Sequence, residues 1–206
     1  MDTDGGLPMS EGSTVWVVAG ARERRVLGSH EQVVFSHTVE GLLLALKGRL
    51  EGPLREKLKA LGLDLDRELE SAYPNAQWQQ MLLLGAEELF PNVPMPRAKW
   101  LLGERFISGY FETNMGRALK GMLKLLGPAR ALERTSRNMA TGSNFLQVEV
   151  ERLAPTDYRL KVNDCGLHPE FMGALCHFGT MATGVKGLTT VVESRAGISA
   201  TFRARW

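Results

Sequence analysis

Cysteine, histidine and long apolar runs are all scarce in this chain, and each scarcity excludes a class of protein. Two cysteines in 206 residues cannot build the disulfide framework of a small secreted scaffold, so reduced thiols in a cytoplasmic protein are expected. Apolar runs such as Leu42 to Leu46 and Met81 to Leu84 fall far short of the roughly 18 residues that span a bilayer. Neither sign of charge is in excess: a net charge of +2 gives no electrostatic reason to expect nucleic acid or a membrane surface. The opening MDTDGG is acidic and polar, unlike a secretory signal. What remains is an ordinary soluble composition, 44% hydrophobic and 23% charged, in a chain long enough for one well-buried core.

Residues 1–13 are rich in Gly, Ser and acid without periodicity, which predicts a disordered tail. The remainder, 14–206, reads as a single α+β domain. TVWVV (14–18) and QVVF (32–35) are short strand candidates. TVEGLLLALKGRL then reads as a helix, with Thr38 as its cap and Gly48 near its end. PLREKLKALGLDL reads as another, opened by Pro53 and stopped by Gly62. In NAQWQQMLLLGAEELFP, Trp78, Leu82, Ala86 and Leu89 fall on one stripe after a capping Asn75. Helical periodicity resumes from Pro96 with Trp100, Phe106 and Tyr110, and again in MGRALKGMLKLLG. Residues 14–143 are therefore read as mainly a helix bundle.

From about Asn144 the apolar period changes from 3.6 to 2. FLQVEVERL and DYRLKVND alternate apolar with charged residues and flank a turn-like APT. They predict a hairpin whose polar faces carry opposite charges across the strands. LTTVVES and ISATFRARW are two more strands, the last with Ile198, Ala200, Phe202, Ala204 and Trp206 on one face. Between the pairs, HPEFMGALCHFGTMATG has helical spacing. The fold class is thus α+β, an N-terminal helix bundle followed by a strand-strand-helix-strand-strand antiparallel sheet unit (144–206).

The stretch CGLHPEFMGALCH holds both cysteines and two of the four histidines. A zinc site needs its ligands converging on one point. With Pro169 opening the helix, His168 and Cys176 are eight residues apart, about 12 Å along its axis. Cys176 and His177 point about 100° apart, too divergent for a catalytic pair. Cys165 precedes the helix. Neither a metal site nor a disulfide is expected, and Cys176 reads as a small core residue. GTMATGVKG approaches a phosphate-loop pattern, but Lys186 follows Val185 in place of the second glycine, and no Ser or Thr follows the lysine. Six basic residues against one acidic between Gly116 and Arg137 read as a solvated helix face, since no aromatic platform accompanies them.

VFSHTVEGLLLAL, LKALGLDLDRELESAYPNAQW, ELFP, LGERFISGYFETNMGRAL and LLGPARALERTSRNMATGSNF resemble the motifs of a myxobacterial paralogous family of unknown function, over roughly residues 33–206. The layout of helices followed by strand, strand, helix, strand, strand is also similar to a wider group. That group comprises the haem nitric-oxide-binding domains, the four-vinyl-reductase-type ligand domains and related Golgi transport subunits. The resemblance implies a small-molecule pocket between helices and sheet, a signalling role and homodimerisation. In the haem-binding members a Tyr-x-Ser-x-Arg motif precedes a Gly-Leu. Here Gly166-Leu167 is preceded by Leu160, Val162 and Asp164 at those positions, and no histidine lies between His37 and His168. Haem, and with it any cofactor, is therefore not expected.

Two functions of different class follow. The first is a non-enzymatic sensory domain binding an apolar or amphipathic small molecule. Its candidate pocket residues are Trp78, Trp100, Phe106, Tyr110, Phe171, Met172, His177, Phe178 and Met181. For any single one of these residues, a place in a filled core is the more ordinary reading. The alternative function is a protein-protein interaction scaffold of the same fold without a ligand, marked by a solid core and an exposed apolar patch. Paired carboxylates, a nucleophile with its base, and clustered metal ligands are all lacking, so no enzyme is expected. Gly173 and Gly179 leave room beside the last helix, where a pocket would lie.

Overall fold

The computed structural model describes residues 31–206, so the expected tail (1–13) and the strand candidate at 14–18 lie outside the described residues. β1 (Val33–Phe35) leads directly into α1 (Ser36–Ala45), and α2 (Pro53–Ala60) follows. Pro53 opens α2, and Gly62 just beyond it has φ +89°, a conformation that costs a glycine least. β2 (Ala72–Pro74) pairs antiparallel with β1. β1 falls on the expected QVVF strand, whereas its partner β2 is not legible in the sequence, because a three-residue strand is too short to show a period. α3 (Asn75–Leu89) and α4 (Met95–Tyr110) come next, burying Trp78, Met81 and Leu82 from one, and Leu102, Phe106 and Tyr110 from the other.

Two expected caps shift by a position or more. Asn75 is the first helical residue behind Pro74, and Thr38 lies inside the first turn of α1, donating its hydroxyl to the Gly142 carbonyl at 3.1 Å. α5 (Asn114–Glu133) has a true side-chain cap: Thr113 Oγ1 accepts from the Gly116 amide at 2.9 Å. It is broken at Gly127 (φ 72°, ψ 172°), where Pro128 restarts the helix. A short α6 (Thr135–Met139) follows.

The second half matches the strand-strand-helix-strand-strand reading. β3 (Val148–Ala154), β4 (Asp157–Val162), β5 (Thr189–Ala196) and β6 (Ser199–Arg205) form an antiparallel sheet of order β3-β4-β6-β5. Its inner face is buried with period 2: Tyr158, Leu160 and Val162 oppose Ala204, Phe202 and Ala200. The outer face pairs charge as anticipated, Lys161 with Glu149 at 3.3 Å and Arg159 with Glu151 at 2.7 Å. Arg203 adds a link to Asp157 at 2.7 Å and to Glu193 at 3.0 Å. Ile198 departs from the expected face. It lies in the β5–β6 turn beside Gly197 (φ +60°) and is 55% exposed.

α7 (Pro169–Met181) joins the two halves. Phe171 belongs to the helical core, Met172 and Cys176 belong to the core over the sheet, and Leu175 touches both. Its crossing with α4 is close because Gly103 has no side chain: a Cβ there would sit 2.6 Å from the Ala174 Cβ.

Candidate functional site

Where α4, α5, α6 and α7 meet, the cores do not close completely and leave a cavity of about 130 Å³. Trp78 of α3, Phe106 and Tyr110 of α4 and Phe171 of α7 supply an aromatic wall. Their rings pack edge-on or stacked, with Phe106 5.3 Å from Phe171 and 5.8 Å from Tyr110, and Trp78 6.0 Å from Phe106. Leu119 and Leu123 of α5 and Met172, Leu175, Cys176 and Gly179 of α7 complete the apolar lining. A polar sector comes from Thr38, Thr135, Asn138 and Ser143. None of the 22 lining residues is acidic, basic or histidine.

Five of the nine candidate residues thus line the cavity: Trp78, Phe106, Tyr110, Phe171 and Met172. The other four, Trp100, His177, Phe178 and Met181, do not. The reason is helical phase. At about 100° per residue, Cys176 and Gly179 lie within about 40° of Met172 around α7, whereas His177, Phe178 and Met181 lie about 140–240° away. On that far side Trp100 gathers His177 at 5.5 Å and Phe178 at 6.0 Å between ring centres. His177 Nδ1 shares a hydrogen bond with Thr190 Oγ1 at 3.1 Å, and Met181 is 40% exposed. Aromatic spacing had not separated the two faces. The polar sector was missed for a different reason: Thr135 and Asn138 lie on the short α6, beyond the break at Gly127, and a five-residue helix is too short to show which neighbours it meets.

Burial keeps the neighbouring titratable groups neutral. It pushes the Cys176 thiol up to about 12, and the Cys165 thiol, which also faces the charge of Asp164, to about 12. Both cysteines are free. Desolvation likewise raises the Tyr110 phenol. His168 is pushed down to about 4, first by burial and then by the charge of Lys99. His168 Nε2 donates to the Gln79 carbonyl at 2.9 Å, and a carbonyl can only accept, so Nε2 carries the proton. No group of three or more His, Cys, Asp or Glu among the described residues could hold a metal ion. No helix among them is long and apolar enough to cross a membrane.

The fold is that of the H-NOX domains. The chain is similar to the Fe(II) unliganded H-NOX protein from K. algicida, at 14% identity and a TM-score of 0.54 over 82% of this chain and 94% of that one. It is similar to a mutant H-NOX of T. tengcongensis, at 12% identity and a TM-score of 0.51 over 82% and 94%. An oxygen-binding H-NOX domain related to soluble guanylate cyclases, in its oxygen complex, aligns at 10% identity and a TM-score of 0.51 over 81% and 91%. At such identities the likeness is one of fold. No curated protein matches the chain.

Haem, which this fold implies, does not fit the residues present. Iron needs an axial ligand, and the cavity offers no imidazole, a thiol held protonated and a phenol whose ionisation burial opposes. Its volume of about 130 Å³ also lies below the ~300–1,000 Å³ of pockets for larger ligands. The sequence pattern of the DUF2378 family, described as a protein of unknown function, matches residues 32–206. The chain belongs to that family.

Proposed function

We propose that this chain is a haem-free, non-enzymatic sensory domain whose ligand is a small, neutral, largely apolar molecule held where the helices α4, α5, α6 and α7 meet; the cavity takes no lining from the four-stranded sheet, against which the pocket was expected. The cavity of about 130 Å³ with wholly uncharged walls carries this reading. An engineered apolar cavity of about 150 Å³ stays dry and binds benzene or xenon, so a void of this size suits a ligand of that order. A charged ligand would lose its hydration with no countercharge to replace it. The position supports a signalling role. The lining joins α4, α5, α6 and α7, so occupancy would bear on the junction between the two halves of the fold. The interaction-scaffold alternative has less support, because the three most exposed large apolar residues, Leu125 in α5, Leu167 ahead of α7 and Val191 in β5, come from separate segments.

Native mass spectrometry of the freshly purified protein tests the reading, together with thermal unfolding in the presence of benzene. A retained small neutral molecule, or a rise in Tm with benzene, is expected. The absence of both a retained molecule and a shift would overturn it. Homodimerisation is proposed on the fold resemblance alone, and a monomer by light scattering would remove it.

A further inference from the structure

Two buried side-chain nitrogen or oxygen atoms lack a hydrogen-bond partner among the described residues, and one of them, His168 Nδ1, belongs to a residue that lines a second void. His168 is only 3% exposed. With Nε2–H committed to the Gln79 carbonyl at 2.9 Å, Nδ1 is a bare acceptor, and such an atom buried without a donor is costly. The void measures about 20 Å³, above the ~10–15 Å³ that one water needs. Gln79, Asp164 and Cys165 supply further polar lining. Asp164 is buried, and its Oδ1 accepts the Gly166 amide at 2.8 Å. This void shares Trp78, Leu146, Phe171 and Met172 with the main cavity. One wall of four apolar side chains thus divides the two spaces, and Met172, unbranched and readily repacked, is part of it.

We propose that His168 Nδ1 is an acceptor site for one hydroxyl donor, filled either by a resident water or by the hydroxyl of a ligand that extends from the main cavity past Met172. The two sources share one chemistry, an O–H donated to a neutral imidazole. The ligand source rests on the function proposed above, and the water source does not. If the ligand supplies the donor, its class is narrowed to a neutral apolar molecule with a single hydroxyl at one end. The site also lies at a joint of the fold. Gln79 of α3 accepts from His168 and, through its side chain, from the Leu167 amide at 3.3 Å, holding the start of α7.

Long-range 15N–1H NMR of the histidine-labelled full chain near neutral pH reads the tautomer and the hydrogen bonding of Nδ1. The resonance is assigned by its loss in His168→Gln. If that variant does not fold, elimination with His30→Gln, His37→Gln and His177→Gln serves. Spectra and Tm are recorded in plain buffer, with benzyl alcohol, and with ethylbenzene, which replaces the hydroxyl by a methyl. An Nε2–H tautomer with a hydrogen-bonded Nδ1 in plain buffer, unmoved by either probe, assigns the donor to water. An Nδ1 shift, with a larger Tm rise, for benzyl alcohol than for ethylbenzene assigns it to the ligand. An Nδ1–H tautomer, or an Nδ1 at the unbonded position in all three samples, overturns the proposal. If no molecule is retained and neither benzene nor either probe stabilises the protein while Nδ1 is already bonded in buffer, the sensor reading fails and this one stands.

Discussion

Burial dictates the chemistry of the individual residues, most clearly at His168. Its folded pKa of about 4 lies below the ~6.5 of an unfolded histidine. Between those values the unfolded chain binds more protons, so stability rises with pH across that window. The contribution is complete above about pH 6.5, declines as pH falls, and levels off below about 4. At about 1.4 kcal/mol per unit the loss reaches at most about 3 kcal/mol. Urea midpoints at pH 7 and pH 4.5 should therefore differ, and His168→Gln should flatten that difference. The cysteines give a second prediction at this scale. Thiols that are buried and held near 12 present almost no thiolate. The native protein should leave both unreacted toward a disulfide reagent under conditions where the denatured protein reacts at two per chain.

The predictions at the level of elements concern α7, where two glycine contacts differ in kind. A Cβ at Gly103, where α4 crosses α7, would meet the Ala174 Cβ at 2.6 Å and the Phe171 carbonyl at 3.0 Å. Both are rigid neighbours. Gly103→Ala should lower stability by about 1–3 kcal/mol through overpacking. A Cβ at Gly179 would meet nothing within 4 Å, and Gly179 lines the cavity. Gly179→Leu should leave Tm nearly unchanged while reducing any benzene-induced stabilisation. A large fall in Tm for Gly179→Leu would mean that this stretch of α7 is tightly packed and that the cavity is not available to a ligand.

For the whole molecule, the H-NOX-like fold without a suitable iron ligand predicts a protein that does not hold haem. Titration with hemin should produce no saturable Soret shift at one per chain. A stoichiometric complex with an axially ligated spectrum would overturn that expectation and, with it, the reading of the cavity as a small-ligand site.

Local periodicity determined much of this architecture. The alternation of Val148, Val150, Tyr158, Leu160, Ala200, Phe202 and Ala204 specifies strands with one apolar face, because side chains in a strand point alternately to its two sides. The charges at Glu149, Glu151, Arg159 and Lys161 specify how the first two strands face each other, since the observed register pairs them directly. Pro53, Gly62 and Pro169 mark helix ends through backbone sterics alone. Tertiary structure alone decided which aromatic residues meet. Trp78, Phe106, Tyr110 and Phe171 face a shared space, while Trp100 of α4 packs with His177 and Phe178 on the far side of α7. A helix with apolar residues around most of its circumference does not state which neighbour each face will find. The cavity itself takes its walls from several helices, with α6 following the break at Gly127, and no period states which of these segments will meet. The lone pair on His168 Nδ1 is bare because a Gln79 carbonyl 89 residues away claims the opposite nitrogen. A contact over that separation is set by packing, which local sequence does not encode.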